Sequence, residues 1–245
     1  MKYIASVSFG KDSLAMLLYL IENKLPLDEV VFYDTGMEFE CIYKIRDSVK
    51  ELLLANNIKY TELQPKNPFI YDMLERPVEG RKNGFHYGYG WCGGPCRWGT
   101  TNKIKALDSY IGLGNVQYVG IAKDEYIRAI KLPKNKIPLL YDIGMTEADC
   151  LRYCRERGYS WTEKANTDSG YIDLYDVLSR VSCWCCANKN KKELYNIYKY
   201  LPEYWCRLRD LQGKIKRPFK KYYSKTLGYY GDIYSLEKVF EKQKI

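Results

Sequence analysis

Histidine is almost absent: the chain has one, His86. That leaves little material for a Cys-His mechanism or a histidine-built metal site, and a lone histidine is more often structural than catalytic. Long apolar runs are missing too, with no stretch near the roughly 18 uninterrupted residues that a membrane-spanning helix needs. Met1 to Leu20 is apolar enough to resemble a signal peptide, but Gly10-Lys11-Asp12-Ser13 breaks that run in its middle. A cytoplasmic protein with no membrane partner is expected. The chain also lacks internal repeats, low-complexity stretches and a Pro/Gly/Ser-rich linker, which sets it apart from disordered and fibrous chains. Residues 1–182 carry no excess of either charge, with 24 basic and 24 acidic side chains.

The net charge of +9 therefore sits in residues 183–245, which carry 15 basic and 6 acidic side chains. A segment of that kind is either a solvated basic surface or a face for a polyanion, whether nucleic acid or the acidic side of another protein. Nine cysteines in a reducing compartment are more readily free, metal-bound or catalytic than paired as disulfides. At 245 residues the chain can bury its own core, with room for one α/β domain and a smaller appendage.

The first 65 residues read as β-α-β-α-β. Lys2 to Val7 is β-prone, Leu14, Leu17, Leu18 and Ile21 recur at helical spacing, Glu29 to Tyr33 is continuously apolar, Glu40 to Asn56 is a helix and Ile58 to Leu63 a third strand. Right-handed crossovers then build a doubly wound, mostly parallel sheet of the Rossmann-like α/β class. Arg76 to Gly99 is rich in glycine and reads as an irregular loop, followed by a helix from about Thr100 to Ile111 and a fourth strand at Val116 to Ile121. Thr146 to Arg157 is a helix with Thr146 as N-cap, Asp149 in the capping-box place and Gly158 as its stop. Another helix lies near Lys191 to Tyr200. The division expected is a nucleotide-binding domain over residues 1–180 and a cysteine-containing basic subdomain over 181–245.

Between the first strand and helix lies Ser8-Phe9-Gly10-Lys11-Asp12-Ser13. A loop that leaves a strand and opens a helix offers backbone N–H groups and the positive helix end to a phosphate. Gly10 allows close approach, Lys11 adds a point charge, Ser8 and Ser13 add hydroxyls, and Asp12 either caps the helix or helps to organise Mg2+.

This loop resembles the pyrophosphate-binding (PP) loop of the adenine nucleotide alpha hydrolase superfamily, in particular its phosphoadenosine phosphosulfate (PAPS) reductase-like branch. It is not a Walker A loop, whose glycine spacing differs. Three further segments are similar in order: Phe32 to Phe39 with Asp34-Thr35-Gly36, Gly120 to Arg128 with its Gly-x-x-x-x-Glu-x-x-Arg pattern, and Pro138 to Tyr141 followed by Met145-Thr146-Glu147. The resemblance spans roughly residues 1–160 and implies ATP or another adenine nucleotide as ligand. Ser8, Phe9, Gly10, Lys11, Asp12, Ser13, Asp34, Thr35, Gly36, Gly120 and Arg128 would bind it, with Lys11, Asp12 and Arg128 also catalytic. A side chain at Gly120 would block the nucleotide, and Arg128 would clamp a phosphate or sulfate with its planar fork.

Cys92 and Cys96 form one close pair, and Cys183, Cys185 and Cys186 a second group. Together they can supply four thiolates to a tetrahedral zinc or an iron-sulfur cluster. Cys92, Cys96, Cys183 and Cys186 are the expected ligands, and Cys185 either replaces one or remains a reactive, catalytic thiol. The resemblance favours [4Fe-4S] over Zn2+. Cys150 and Cys154, at i and i+4 on one helix, are better read as core.

Dedicated PAPS reductases end in a tail with a nucleophilic cysteine beside glycine and histidine. The residues Val239 to Ile245 show no such tail. Three readings follow: ATP-dependent adenylation with pyrophosphate release, coupled to sulfur transfer or nucleic-acid modification as in tRNA thiolation or DNA phosphorothioation; a sulfonucleotide (APS or PAPS) reductase using Cys185; and a nucleotide-binding module without catalysis. The partners expected are the nucleotide, tRNA or DNA at the basic region, where Tyr195, Tyr198, Trp205, Tyr222 and Tyr223 could stack on bases, and a sulfur or electron donor protein.

Overall fold

The computed structural model describes residues 1–80, 84–92, 96–224 and 228–242. In chain order the elements are β1 (Tyr3–Val7), α1 (Lys11–Glu22), β2 (Glu29–Tyr33), α2 (Glu40–Ala55), β3 (Lys59–Leu63), α3 (Phe69–Leu74), β4 (Pro77–Gly80), β5 (Gly84–Tyr87), α4 (Lys103–Ile111), β6 (Val116–Val119), α5 (Tyr126–Ala129), β7 (Lys136–Ile137), α6 (Leu139–Asp142) and α7 (Glu147–Glu156). They continue with β8 (Thr162–Lys164), β9 (Tyr171–Asp173), α8 (Leu174–Val177), α9 (Lys191–Tyr200), α10 (Pro202–Lys214), β10 (Tyr222–Ser224), β11 (Gly228–Tyr230) and α11 (Ile233–Lys242).

Two compact units share the chain. The first takes residues 1–34, 38–64 and 102–161, and the second takes 35–37, 65–101 and 162–245. The glycine-rich stretch thus groups with the carboxyl-terminal residues and not with the first unit.

The first unit holds a five-stranded sheet of order β3-β2-β1-β6-β7, parallel throughout. The expected doubly wound α/β class is what the chain adopts. Every residue of β2 is buried, as its Val30, Val31, Phe32 and Tyr33 suit a central parallel strand covered on both faces. Glu29, at its start, is the exception to an apolar core. Its Oε1 accepts hydrogen bonds from Thr61 Oγ1 (2.6 Å), Tyr110 Oη (2.7 Å) and Lys59 Nζ (2.9 Å), which replace the water it loses. On one face α4 sends Leu107 and Ile111 against Ile4, Val31 and Tyr33. On α1, Leu14 to Leu18 and Leu20 are all buried, and this helix packs against α7. The capping box that begins α7 is present, with Asp149 N–H donating to Thr146 Oγ1 and Thr146 N–H to Asp149 Oδ2. Cys150 and Cys154 are fully buried there, as the spacing on α7 implied.

In the second unit the stretch expected to be irregular contains an ordered element. β4 and β5 form an antiparallel hairpin pairing Pro77 with Tyr87 and Gly80 with Gly84, because Val78, Phe85 and Tyr87 are strand formers that the glycines obscured. Within that stretch, Arg81 to Asn83 and Gly93 to Pro95 lie outside the described residues. The carboxyl-terminal part adds α9, α10 and α11, whose inner faces meet through Tyr195, Tyr198, Trp205 and Phe240. Trp205 is therefore a core residue, which corrects its expected role in stacking on a nucleic-acid base.

Candidate functional site: a phosphate loop and a cysteine cluster

The loop from Ser8 to Ser13 is held in shape by its own unit. Phe9 is fully buried and takes a left-handed backbone conformation (φ 58°), uncommon for a non-glycine residue and worth about 1–3 kcal/mol of strain. Two contacts hold it there. Its ring meets Phe32 edge-on at 5.0 Å, and its carbonyl accepts a 2.8 Å hydrogen bond from the Trp161 indole. Nothing in the sequence pointed to Trp161, which lies 152 residues from the loop it props. Ser13 Oγ accepts from Ser8 N–H and lies 3.1 Å from Ser8 Oγ, so the two hydroxyls face each other across the loop. No side chain caps the start of α1, which Gly10 begins in extended conformation. An uncapped helix start with polar hydroxyls beside it is the arrangement that binds a phosphate.

Lys11 is buried, and its ammonium meets two carboxylates, Asp12 Oδ1 at 2.7 Å and Glu147 Oε2 at 2.6 Å. Burial pulls its pKa down, but the two carboxylates outweigh that and leave it above the ordinary lysine value. For Asp12 burial dominates and raises the carboxyl pKa despite Lys11. The capping box of α7 delivers Glu147, from the Met145-Thr146-Glu147 segment, to the loop lysine. Burial likewise pushes the nearby Cys154 thiol up to about 12, so it stays protonated and inert at neutral pH.

A cavity of about 310 Å³ opens beside this loop. Ser6, Ser8 and Ser13 border it, with Gln117, Gly120 and Ile121 from the end of β6, Leu107 from α4, and Arg128. In the order β3-β2-β1-β6-β7, the crossover changes direction between β1 and β6. That switch point is where doubly wound sheets bind ligands, and the volume is that of a small-molecule site. Gln117 is buried, with its amide N–H2 donating 2.6 Å to Ser6 Oγ, which fixes the side chain in the cavity wall.

Gly120 stands in that wall for a reason different from the one expected. A Cβ there would lie 2.7 Å from Ser13 Cα and 2.8 Å from Ser13 N, so the residue must be glycine to let the start of α1 approach β6, whatever the ligand. Arg128 borders the cavity, but its side chain is largely exposed and its guanidinium is paired with Glu125. Asp34 accepts a 2.9 Å hydrogen bond from Tyr43. Thr35 and Gly36 group with the second unit, where Thr35 is buried with its hydroxyl 3.5 Å from Cys183 Sγ.

Within the second unit Cys96 and Cys183 flank Gly99, and Cys92 lies beside Cys96. A Cβ on Gly99 would lie 3.8 Å from Cys96 Sγ and 3.9 Å from Cys183 Sγ. Cys92 and Cys96 share a hydrogen bond that lowers the Cys92 pKa, helped by the Arg97 N–H, and raises that of Cys96, which burial pushes up further. Arg97 N–H also lies 3.2 Å from Cys92 Sγ, and Gly99 N–H 3.4 Å from Cys96 Sγ. Backbone donors aimed at sulfur stabilise thiolate, the form that binds metal. A soft, all-sulfur donor set of this kind fits an iron-sulfur cluster or zinc. Among the described residues, no three ligating side chains are yet drawn in to metal-binding distances. Cys185 is buried while Cys183 and Cys186 are half-exposed, so its thiol does not open to solvent as a nucleophile's would.

Residues 2–74 match the phosphoadenosine phosphosulfate reductase domain family. That stretch runs from β1 to α3 and includes the phosphate loop and Asp34-Thr35-Gly36, so it bears out the PAPS reductase-like resemblance where the first two motifs stand. The motifs at Gly120 to Arg128 and Pro138 to Glu147 lie beyond the PAPS reductase match. Two curated relatives, the uncharacterized proteins MJ0066 and MJ0973 of Methanocaldococcus jannaschii, are 23% and 26% identical over 82% and 81% of the chain. The chain spans only 39% and 44% of their lengths. Among solved structures, the U34-tRNA thiolase NcsA from Methanococcus maripaludis with its [4Fe-4S] cluster aligns over 99% of this chain and 71% of its own. Its identity is 16% and the TM-score 0.44, a likeness too distant to transfer any chemistry. Among the described residues, no helix is long and apolar enough to cross a membrane.

Proposed function

We propose that the chain is a PP-loop enzyme that binds ATP with Mg2+ in the cavity beside Ser8 to Ser13 and activates a nucleic-acid substrate by adenylation, as a step in sulfur transfer. The observation that carries this is the cavity itself. It lies at the sheet's switch point, and the uncapped start of α1, the Ser8 and Ser13 hydroxyls and Gly120 meet at its edge.

In this reading the β and γ phosphates rest on the loop N–H groups and Lys11, with Asp12 placing Mg2+. An acceptor oxygen attacks the α-phosphorus, the bond to the bridging oxygen breaks, and pyrophosphate leaves with its charge held by Lys11 and the loop N–H groups; Mg2+ held by Asp12 would add Lewis-acid stabilisation there. A sulfur nucleophile brought by a donor protein then attacks the activated carbon and AMP departs with the oxygen. Arg128 must leave Glu125 to reach a phosphate. Asp34 stands at the carboxyl end of β2, where the nucleotide's sugar or base is read. Cys92, Cys96, Cys183 and Cys186 would hold the metal centre, [4Fe-4S] before Zn2+, and a cluster there would supply an iron site for sulfur.

A sulfonucleotide reductase would need an accessible thiol nucleophile, and the burial of Cys185 speaks against it. The deciding experiment supplies ATP, APS or PAPS with and without bulk tRNA or DNA. Pyrophosphate from ATP, stimulated by nucleic acid, is expected, and sulfite from APS or PAPS with a thiol donor would replace this reading by the reductase. Nucleotide binding without turnover would leave a binding module.

A further inference from the structure

A second cavity is lined by residues other than those of the loop from Ser8 to Ser13. It belongs to the second unit, measures about 740 Å³, and is lined by Lys216, Lys220, Lys221, Tyr229, Tyr230 and Tyr234 among others. We propose that this pocket holds a single-stranded segment of nucleic acid, with phosphates on the three lysines and a base against the tyrosine rings. The assignment deepens the acceptor part of the proposed function and rests on it for its purpose, though binding can be measured separately.

The floor is built before any ligand arrives. Gln212 is buried, its amide nitrogen donating to the carbonyls of Ile215 (2.7 Å) and Arg217 (2.9 Å) and its oxygen accepting from the N–H groups of Phe219 (3.2 Å) and Ile233 (3.3 Å). One side chain thus ties the segment after α10 to the first turn of α11. Lys220 N–H donates to Gly231 carbonyl at 2.9 Å, and at Gly231 (φ 138°) a Cβ would lie 2.3 Å from Lys220 carbonyl oxygen. Only glycine allows that closure, which holds Lys220 at the pocket edge.

The charge around this floor is one-sided. Among the described residues no carboxylate pairs with Lys216, Lys220 or Lys221. The single acid of the lining, Asp232, is engaged in capping α11, accepting from Ser235 N–H at 2.9 Å. A fourth cation, Lys191, donates to Tyr230 Oη at 3.2 Å. Tyr229 is 82% exposed, an open ring beside concentrated positive charge. Phosphate contacts with aromatic stacking are how sequence-tolerant single-strand binding works, and the volume admits a nucleoside. A purely acidic peptide would use the lysines but leave the rings idle.

The test is fluorescence anisotropy with labelled single-stranded RNA and DNA dodecamers, a duplex and an abasic dodecamer, over a range of salt. Lys216, Lys221 and Tyr229 are exposed, so their variants should fold, and ATP titration confirms it by unchanged affinity. The variant carrying Lys216→Glu and Lys221→Glu should bind at least tenfold more weakly, with a salt dependence reduced by about 1.4 in log-log slope, the loss of two phosphate contacts at ~0.7 each. Tyr229→Ala should lose severalfold with the slope unchanged, and the abasic strand should bind wild type as weakly as the normal strand binds Tyr229→Ala. Wild-type affinity in both variants, full affinity for the abasic strand, or preference for the duplex would overturn the proposal. Lys11→Ala separates the two ideas. Loss of ATP turnover with strand binding intact speaks to the loop alone, whereas turnover without any strand binding would remove the pocket and leave the loop standing.

Discussion

The ammonium of Lys11 lies 2.6 Å from Glu147 Oε2, a carboxylate 136 residues further along the chain. The loop cation is thus already balanced by Glu147 and by Asp12, and a phosphate bound there would have to compete with both.

That balance gives the first prediction. Glu147→Gln retains a hydrogen-bond acceptor for Lys11 but removes a negative charge, so ATP should bind severalfold more tightly. Lys11→Ala should weaken ATP at least tenfold, since a charge-assisted hydrogen bond is worth roughly 1.5–3 kcal/mol. Isothermal titration checks both, and unchanged affinity in the pair would place the phosphates elsewhere.

Gly120→Ala should be costly although it adds a single methyl group. The 2.7 Å approach to Ser13 Cα meets backbone, which can yield only by shifting the start of α1. Overpacking of this kind costs about 1–3 kcal/mol. Lower thermal stability together with weaker ATP binding is expected, and a melting temperature equal to wild type would refute the fit.

Stability at acid pH should depend on Glu29. Burial raises its pKa, but the hydrogen bonds from Thr61, Tyr110 and Lys59 prevail and leave it below the ordinary value of 4.5. A depressed carboxyl contributes stability that is full above its unfolded pKa and is lost as pH falls through the lower folded one. Denaturant unfolding between about pH 5 and 2 should therefore show a steeper loss for wild type than for Glu29→Gln. Parallel curves would show that the carboxylate is not responsible.

For the cysteines, anaerobic purification with visible absorption and elemental analysis should find iron, or zinc in its place. Cys92→Ser and Cys183→Ser should lose it, while Cys185→Ser, altering a buried thiol, should keep it. A wild-type protein that is stable and free of metal would end the four-thiolate assignment.

Much of the first unit, and one helix of the second, was legible from local pattern. Glu29 to Tyr33, Lys191 to Tyr200 and the Thr146–Asp149 capping box announce themselves because apolar periodicity and helix caps act within a few residues of themselves. The same holds for Ser8 to Ser13, whose chemistry is contained in six consecutive side chains. The β4–β5 hairpin was hidden because its strands are short and glycine-bounded, and α10 because its apolar residues are diluted by charge.

By itself, then, the sequence determined the βαβ order, the loop from Ser8 to Ser13 and the two cysteine groups, all encoded in short runs. Tertiary structure alone decided that Trp161 props Phe9, that Glu147 balances Lys11, that Gly120 leaves room for the Ser13 backbone, and that Trp205 is core while Tyr229 is open. Each of these joins residues far apart in the chain, and only the packing of the sheet and of the carboxyl-terminal helices sets which distant side chains meet and which face water.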